Sequence, residues 1–314
     1  MSDNGKGNGN RQHYTPWLVI RYAAGDTGAR PVPPGAAWWE SPDVWTQQVN
    51  GGAINQPVAG QPSIVFTNIS NLGREDANNV TLQYFWANPS IAINAGTANL
   101  IATQTVSIPA NNVGQFQSPV NWVPVDVNNG HECLIVQANL PVLDPITDPF
   151  QPANDRHVGQ KNEQLVLLQQ GEMFHFRLDA LNFTDKEADV FVEMRPGLVP
   201  RDLAQRFAGR GLWREPILDT PPLPVGIEIS RDAARQIKSG GRVLSDTRNA
   251  LDCLGPALVS RSQAFLPGEL RRVEITGTLP VTARPGEVYV ARISQRIGGA
   301  IAGGYTLYVT LDTR

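Results

Sequence analysis

The chain has 314 residues, with 26 Lys and Arg against 29 Asp and Glu, and its formal net charge is -3. This balance excludes the strongly basic footprint of a nucleic-acid-binding protein and a membrane-surface role that depends on basic residues. Hydrophobic residues make up 41% of the sequence, so packed cores are expected, and the length favours two domains.

Residues 1–30 predict a flexible segment followed by a leading strand. Residues 1–14 are polar and rich in Gly and Asn, whereas residues 17–23 are apolar enough for a strand. This terminus lacks the apolar core of a signal peptide, and no apolar run approaches the roughly 18–20 residues that span a bilayer. We therefore expect no membrane insertion. Three compartments stay open: the cytoplasm, the exterior reached by a non-classical route, and the inside of a particle.

Apolar alternation with a period of two predicts strands through the first half of the chain. Turn-forming Gly, Pro and Asn separate these strands, which are expected at residues 60–73, 77–89, 98–109, 113–125 and 131–140. Within the first of them, Ile64, Phe66 and Ile69 are expected on one face. Residues 144–162 follow as a loop, because their Asp-Pro pairs do not fit a central strand.

The second half shows the same succession of predicted strands and turns, on both sides of a segment with a different sequence pattern. Its strands are expected at residues 163–169, 171–184, 187–196, 267–280, 285–297 and 304–312. Residues 197–256 interrupt them and predict short helices. These helices are expected at residues 201–211, 230–241 and 245–255, the second beginning at a capping Ser230 and ending at Gly240-Gly241.

Two strands in the first half carry a family resemblance. An Asn-x-Gly turn at Asn71 and Gly73 is followed by a strand that begins with Asn79 and Val80. In this respect residues 40–170 resemble the CARDB-type immunoglobulin-like domains of bacteria, which are named for cell adhesion. The resemblance implies an immunoglobulin-like sandwich and a binding role.

The second half resembles the immunoglobulin-like modules appended to bacterial glycosidases and proteases. The matching residues are Phe176, Leu178 and Asn182, then Leu266-Pro267-Gly268-Glu269, then Ala283-Arg284-Pro285-Gly286 and Tyr289. The segment 197–256 departs from that pattern. Modules of this kind support or present something and perform no chemistry, so the resemblance implies no catalytic residues.

Strand rhythm and resemblance together predict an all-β fold of two tandem immunoglobulin-like β-sandwiches. The first sandwich is expected at residues 31–162. The second is expected at residues 163–314 and carries the short helical insertion at 197–256.

A search for catalytic motifs favours a protein that is not an enzyme and uses no cofactor. No Walker loop, G-x-S-x-G elbow or H-E-x-x-H pair is present. The pairs Gly298-Gly299 and Gly303-Gly304 predict a hairpin loop and not a phosphate cradle, because no Lys-Ser/Thr follows. A hydrolase with chemistry in the insertion stays open as a weaker alternative. Its candidate residues are Asp232, Asp246, Asp252 and Cys253.

No metal site is predicted with ligand-like spacing, although two weak candidates exist. His131 and Cys133 share one face of a strand, but zinc would need two further ligands. Asp144, Asp148 and Asp155 crowd one loop and could bind Ca²⁺, although Asp and Asn more often form turns. The two cysteines, Cys133 and Cys253, are expected as structural thiols, with a disulfide between the halves as the alternative.

The candidate binding residues are aromatic and basic. Trp38, Trp39 and Trp45 cluster near the start of the first sandwich, and Arg206, Arg210 and Trp213 lie in the insertion. We expect a non-enzymatic structural or protein-binding protein, a subunit or accessory of a larger bacterial or phage-like surface or particle assembly. Its partners would be proteins, with a homo-oligomer as one form. The alternative is a carbohydrate-binding module, which predicts that Trp38 or Trp39 is exposed on a flat face.

Overall fold

The computed structural model describes most of the chain. The described residues are 15–51, 55, 57–88, 91–125, 132–197, 225–229, 242–243, 258–260 and 262–312. Within these ranges every regular element is a β-strand, which confirms the predicted all-β class. No helix that could cross a membrane is found in this part of the chain.

In the first half, the described residues form eight strands in two sheets. They are β1 (Leu18–Val19), β2 (Val44–Gln48), β3 (Ser63–Asn71), β4 (Ala77–Ala87), β5 (Ala98–Ile108), β6 (Asn112–Gln117), β7 (Cys133–Asn139) and β8 (Val158–Lys161). In sheet 1, β3 pairs with β1 and β2 along one edge and with β6 along the other. Sheet 2 has the order β5-β4-β7-β8, and both sheets are antiparallel.

The strands described in the second half also form two sheets. Its strands are β9 (Glu163–Leu168), β10 (Met173–Leu181), β11 (Ala188–Pro196), β12 (Val225–Ile229), β13 (Arg242–Val243), β14 (Leu258–Val259), β15 (Gln263–Phe265), β16 (Leu270–Thr278), β17 (Val288–Ile297) and β18 (Ala300–Leu311). Sheet 3 has the order β10-β16-β12-β13. Sheet 4 has the order β14-β11-β17-β18-β9, and β15 pairs with β11. The pair of β18 and β9 is parallel.

A helical insertion is not seen in the described parts of residues 197–256. The described parts of that segment are strands, and β12 pairs along β16 so that Ile227, which is 1% exposed, joins the core. A strand there continues the ladder of sheet 3, which satisfies backbone groups that a helix at this edge would leave unpaired. The helices predicted at 201–211, 230–241 and 245–255 lie outside the described residues.

Sheets 1 and 2 share one hydrophobic cluster. Val65 and Ile69 of β3 face Val80, Leu82 and Tyr84 of β4 across it. The expectation that Ile64 and Phe66 share a face with Ile69 was wrong. Successive strand residues point to opposite faces, so odd-numbered residues of β3 enter the core and even-numbered residues point outward.

A second cluster continues from the first half into the second. Strand β7 is buried on both faces: Leu134 and Val136 pack in the first cluster, while Cys133 and Ile135 pack in the second. Ile91, from the loop between β4 and β5, also joins the second cluster, and its backbone N–H donates to the carbonyl of Asp179. The two halves therefore share apolar packing.

Candidate functional site

The two halves meet at a buried polar junction. Only Asn162 separates β8 from β9, and its side chain donates to the carbonyl of Gly304. The indole N–H of Trp39 donates to the Thr306 hydroxyl at 2.9 Å, and that hydroxyl donates to Glu40 at 2.5 Å. Arg292 completes the network with two bonds to Glu40, at 2.7 and 2.8 Å. Bidentate, charge-assisted contacts of this kind fix geometry as well as add stability.

Two glycines of β18 allow the halves to approach this closely. A Cβ on Gly303 would lie 1.5 Å from the carbonyl oxygen of Ile91, and a Cβ on Gly304 would lie 2.3 Å from the Trp39 indole. The sequence predicted both glycines in a hairpin loop. The turn is instead at Gly298-Gly299, with φ of 56° and 86°, and the second pair lies within the strand.

A buried cluster of charges lies where β7 leads into the segment before β8. The ring of His157, 1% exposed, has Nδ1 2.7 Å from Asp155 and Nε2 3.1 Å from Asp144. Arg156 also pairs with Asp144, and its guanidinium lies 3.4 Å from the centre of the Trp17 ring. Because each ring nitrogen faces a carboxylate, this arrangement favours the doubly protonated imidazolium.

Burial and hydrogen bonding oppose each other in this cluster. Burial alone would lower the pKa of His157, but hydrogen bonds to Asp144 and Asp155 outweigh it and the pKa is raised. Burial alone would raise the pKa of Asp155. Hydrogen bonds from His157 and from the backbone N–H groups of His157, Asp148 and Thr147 hold that pKa well below its usual range.

These bonds show how the acidic loop uses its carboxylates. Asp144 accepts from the backbone N–H of Leu18, Asp155 accepts from Thr147, and Asp148 accepts from Asn154. The three acids do not converge on one point, and no group of three or more metal-ligating side chains occurs among the described residues. Each of the three carboxylates therefore fixes part of this loop through hydrogen bonds, and the calcium site stays a prediction.

The charge cluster holds a short apolar tip at residues 141–143. Leu140 and Asp144 bond to each other's backbone and close the tip. Val142 is 92% exposed and Leu143 is 52% exposed. Val142 also has a φ of 78°, which is rare for a β-branched residue and costs energy. We refer to Pro141–Leu143 as the apolar tip. Nothing in the residue pattern of this tip distinguished it from an ordinary turn.

The predicted binding tryptophans are divided between two places. Trp38 and Trp39 are 3% and 2% exposed and pack edge to face at the junction, so they cannot form the sugar platform that the carbohydrate alternative required of them. Trp45 lies instead on the outer face of sheet 1, partly exposed and stacked on Phe66 with ring centres 5.4 Å apart. Arg206, Arg210 and Trp213 lie outside the described residues.

The remaining candidates are also separated. Cys133 is fully buried in the second hydrophobic cluster. Cys253, His131 and the hydrolase candidates Asp232, Asp246 and Asp252 lie outside the described residues. Among the candidates that the structure describes, Trp38 and Trp39 therefore lie together at the junction, and the acidic-loop residues lie together with Trp17, Arg156 and His157.

No family model and no curated protein matches the sequence. Similar solved structures include a family 123 glycoside hydrolase from Clostridium perfringens, with 12% identity over 48% of this chain and 23% of that chain, at a TM-score of 0.28. Red sea bream transglutaminase shows 11% identity over 86% of this chain and 31% of that chain, at a TM-score of 0.23. A β-glucosidase from Streptomyces venezuelae shows 16% identity over 32% of this chain and 12% of that chain, at a TM-score of 0.18. The chain spans less than a third of each of these proteins, and likenesses at this level assign it no function.

Proposed function

We propose that this chain is a non-enzymatic structural or protein-binding protein, a component of a larger surface or particle assembly. We assign it two immunoglobulin-like sandwiches: one at residues 31–162, as the CARDB resemblance implies, and one at residues 163–314, as the resemblance to immunoglobulin-like accessory modules implies. The observation that carries the proposal is the apolar tip. A strained turn with exposed apolar side chains lowers the stability of the folded chain. Such a feature is explained if the apolar side chains bind another protein.

The support beneath the tip fits a docking role. Asp144 closes the turn and is itself bound by Leu18, Arg156 and His157. These contacts fix the backbone at the start and end of the tip. A pre-organised contact loses less conformational entropy when it binds. Val142 and Leu143 are suited to a complementary apolar pocket on another protein or on a second copy of this chain.

The junction suits a structural component for a separate reason. A single residue links β8 to β9, and the Glu40–Arg292 pair ties the halves together. A subunit that must keep two surfaces at a fixed spacing needs such a link, because domains joined by small interfaces and flexible linkers move relative to each other. This feature favours a scaffold.

Light scattering coupled to size exclusion, together with affinity capture on the full chain, tests the proposal. We expect a homo-oligomer or a retained protein partner, and we expect Val142→Ser combined with Leu143→Ser to abolish it. Val281→Ser is the matched control, because Val281 is 73% exposed on a different turn. A strictly monomeric protein that retains no partner contradicts the proposal. An assembly that the double substitution leaves intact shows that the tip is not the contact.

A further inference from the structure

The outer face of sheet 1 combines two aromatic rings with side-chain amides. Cross-strand register places Trp45 opposite Phe66 and Phe66 opposite Gln117, so these three side chains form a row across β2, β3 and β6. The neighbouring rows pair Gln47 with Ile64 and Asn68 with Gln115. We call this set the amide face; it consists of Trp45, Gln47, Ile64, Phe66, Asn68, Gln115 and Gln117.

Trp45 and Phe66 together form a flat apolar surface on this face, which we call the step. The rings of Trp45 and Phe66 lie nearly parallel, at 7°, with their centres 5.4 Å apart. Both side chains are partly exposed, and the paired strands beneath hold their backbones in place. A ring fixed in this way presents a π-face to ligand C–H groups at little entropic cost.

The amides around this step are available to a ligand. The side chains of Gln115 and Gln117 are exposed, and those of Gln47 and Asn68 are partly exposed. None of these four side-chain amides hydrogen-bonds to another residue in the part of the chain that the structure describes. Each amide both donates and accepts, which matches hydroxyl groups that also do both.

The charges nearest the face form one ion pair and one turn. Asp43 directly precedes β2; its backbone carbonyl accepts from the N–H of Asn68, and its carboxylate accepts two hydrogen bonds from the Arg21 guanidinium. Between Val44 and Val125 the only charged residues are Arg74, Glu75 and Asp76, which are consecutive and lie in the turn between β3 and β4. That turn begins beyond Asn71, and at about 3.3 Å per residue this is roughly 16 Å along the strand from Phe66. Because the Arg21 guanidinium and the Asp43 carboxylate pair with each other at 2.7 Å, the face offers no net charge to a charged polymer, whereas a neutral polymer needs none.

We propose that the amide face binds a neutral glycan. Sugar rings of the chain stack on the Trp45–Phe66 step, and their hydroxyls bond to Gln47 beside Trp45 and to Gln117 beside Phe66. Uncharged hydroxyl-rich chains match the face in charge and in hydrogen-bonding capacity. A protein partner matches it less well, because protein interfaces are centred on larger apolar patches and enriched in Arg. This site is separate from the apolar tip, so its failure and the failure of the proposed assembly are distinguishable.

Affinity gel electrophoresis of the full chain tests the proposal directly. The gels contain hydroxyethyl cellulose, xylan or galactomannan as neutral probes, and polygalacturonate as an anionic comparison. We expect at least one neutral glycan to retard the protein and polygalacturonate to have no effect. We expect Trp45→Ala to weaken retardation by about tenfold, the scale of one lost stacking contact. Trp45→Tyr should keep most of it.

Two further variants keep the result interpretable. Gln117→Ala removes one amide without disturbing the rings and should weaken binding by a smaller factor. Phe183→Ala removes an aromatic ring that is 36% exposed elsewhere on the chain, and it should change nothing. Thermal unfolding confirms that each variant is folded. No retardation by any neutral glycan, retardation that survives Trp45→Ala, or Trp45-dependent self-association without glycan binding would each overturn the proposal.

Discussion

His157 lies between two carboxylates in a buried site, and this environment sets its charge. Asp155 is in turn fixed by backbone N–H groups of the loop that it folds, and Asp144 by the N–H of Leu18. A buried histidine in such a position contributes stability only while it is charged. We therefore expect the free energy of unfolding to depend on pH through this single buried residue.

Replacing His157 by Gln should lower the free energy of unfolding by about 3 kcal/mol near pH 6, because two buried carboxylates lose their shared cation. The folded-state pKa of His157 is raised above its unfolded value of about 6.5. Its stabilisation is therefore fully present below about pH 6.5 and is lost as pH rises through the folded pKa. Urea unfolding between about pH 6 and pH 9 should show wild type losing stability and the variant losing less.

The matched control for this pH effect is His175→Gln. The side chain of His175 is 42% exposed and lies 3.5 Å from Glu274, so its removal should change the free energy of unfolding near pH 6 by less than about 1 kcal/mol. Equal slopes for wild type and His157→Gln would show that His157 is not the group responsible.

At the scale of elements, the alternation of apolar residues located most strands. It did not show which side of each strand enters the core or which strands pair. Strands β4, β10 and β18 fall within residues 77–89, 171–184 and 304–312, or extend beyond them at one end. The face of β3 was assigned wrongly, because Ile64, Phe66 and Ile69 are all apolar and only tertiary packing selects between the two sides.

Other elements gave too weak a local signal to be predicted. Strand β8 is Val-Gly-Gln-Lys, without apolar alternation, yet it is buried because it pairs with β7 and because Lys161 bonds to Glu163 at 2.9 Å. The apolar tip, and the outward direction of Phe66 beside Trp45, depend on long-range contacts in the same way. The acidic loop was found from its composition, but no sequence pattern singled out its partner His157.

A substitution in β18 measures how closely the two halves pack against each other. Gly304→Ala should destabilise the protein by about 1–3 kcal/mol, because the added methyl would lie 2.3 Å from the Trp39 ring and the packing must shift. Gly96→Ala is the control, since its nearest contact is the Asn94 side chain at 3.3 Å, and it should change stability by about 0.5 kcal/mol or less. Chemical denaturation measures both. A neutral Gly304→Ala would mean that the indole moves aside freely.

For the whole molecule, the shared apolar cluster decides whether the halves behave as one unit. Ala87, Ile91 and Ile135 of the first half pack in the same cluster as Tyr305 and Leu307 of the second. The Trp39–Thr306–Glu40–Arg292 network then adds directional bonds across the same boundary. Both features are expected to couple the unfolding of one half to that of the other, unlike domains joined by an exposed linker.

This coupling predicts a single unfolding transition in calorimetry, with calorimetric and van't Hoff enthalpies in agreement. Trp39→Ala should lower stability by about 3–5 kcal/mol, because it empties a buried site and removes the indole bond to Thr306. It should also broaden or split the transition as the halves uncouple. Phe183→Ala, at a partly exposed ring, should shift the midpoint little and leave one transition. Two separate transitions in the wild-type protein would show that the junction is a contact between independent domains, and the scaffold role would lose its physical basis.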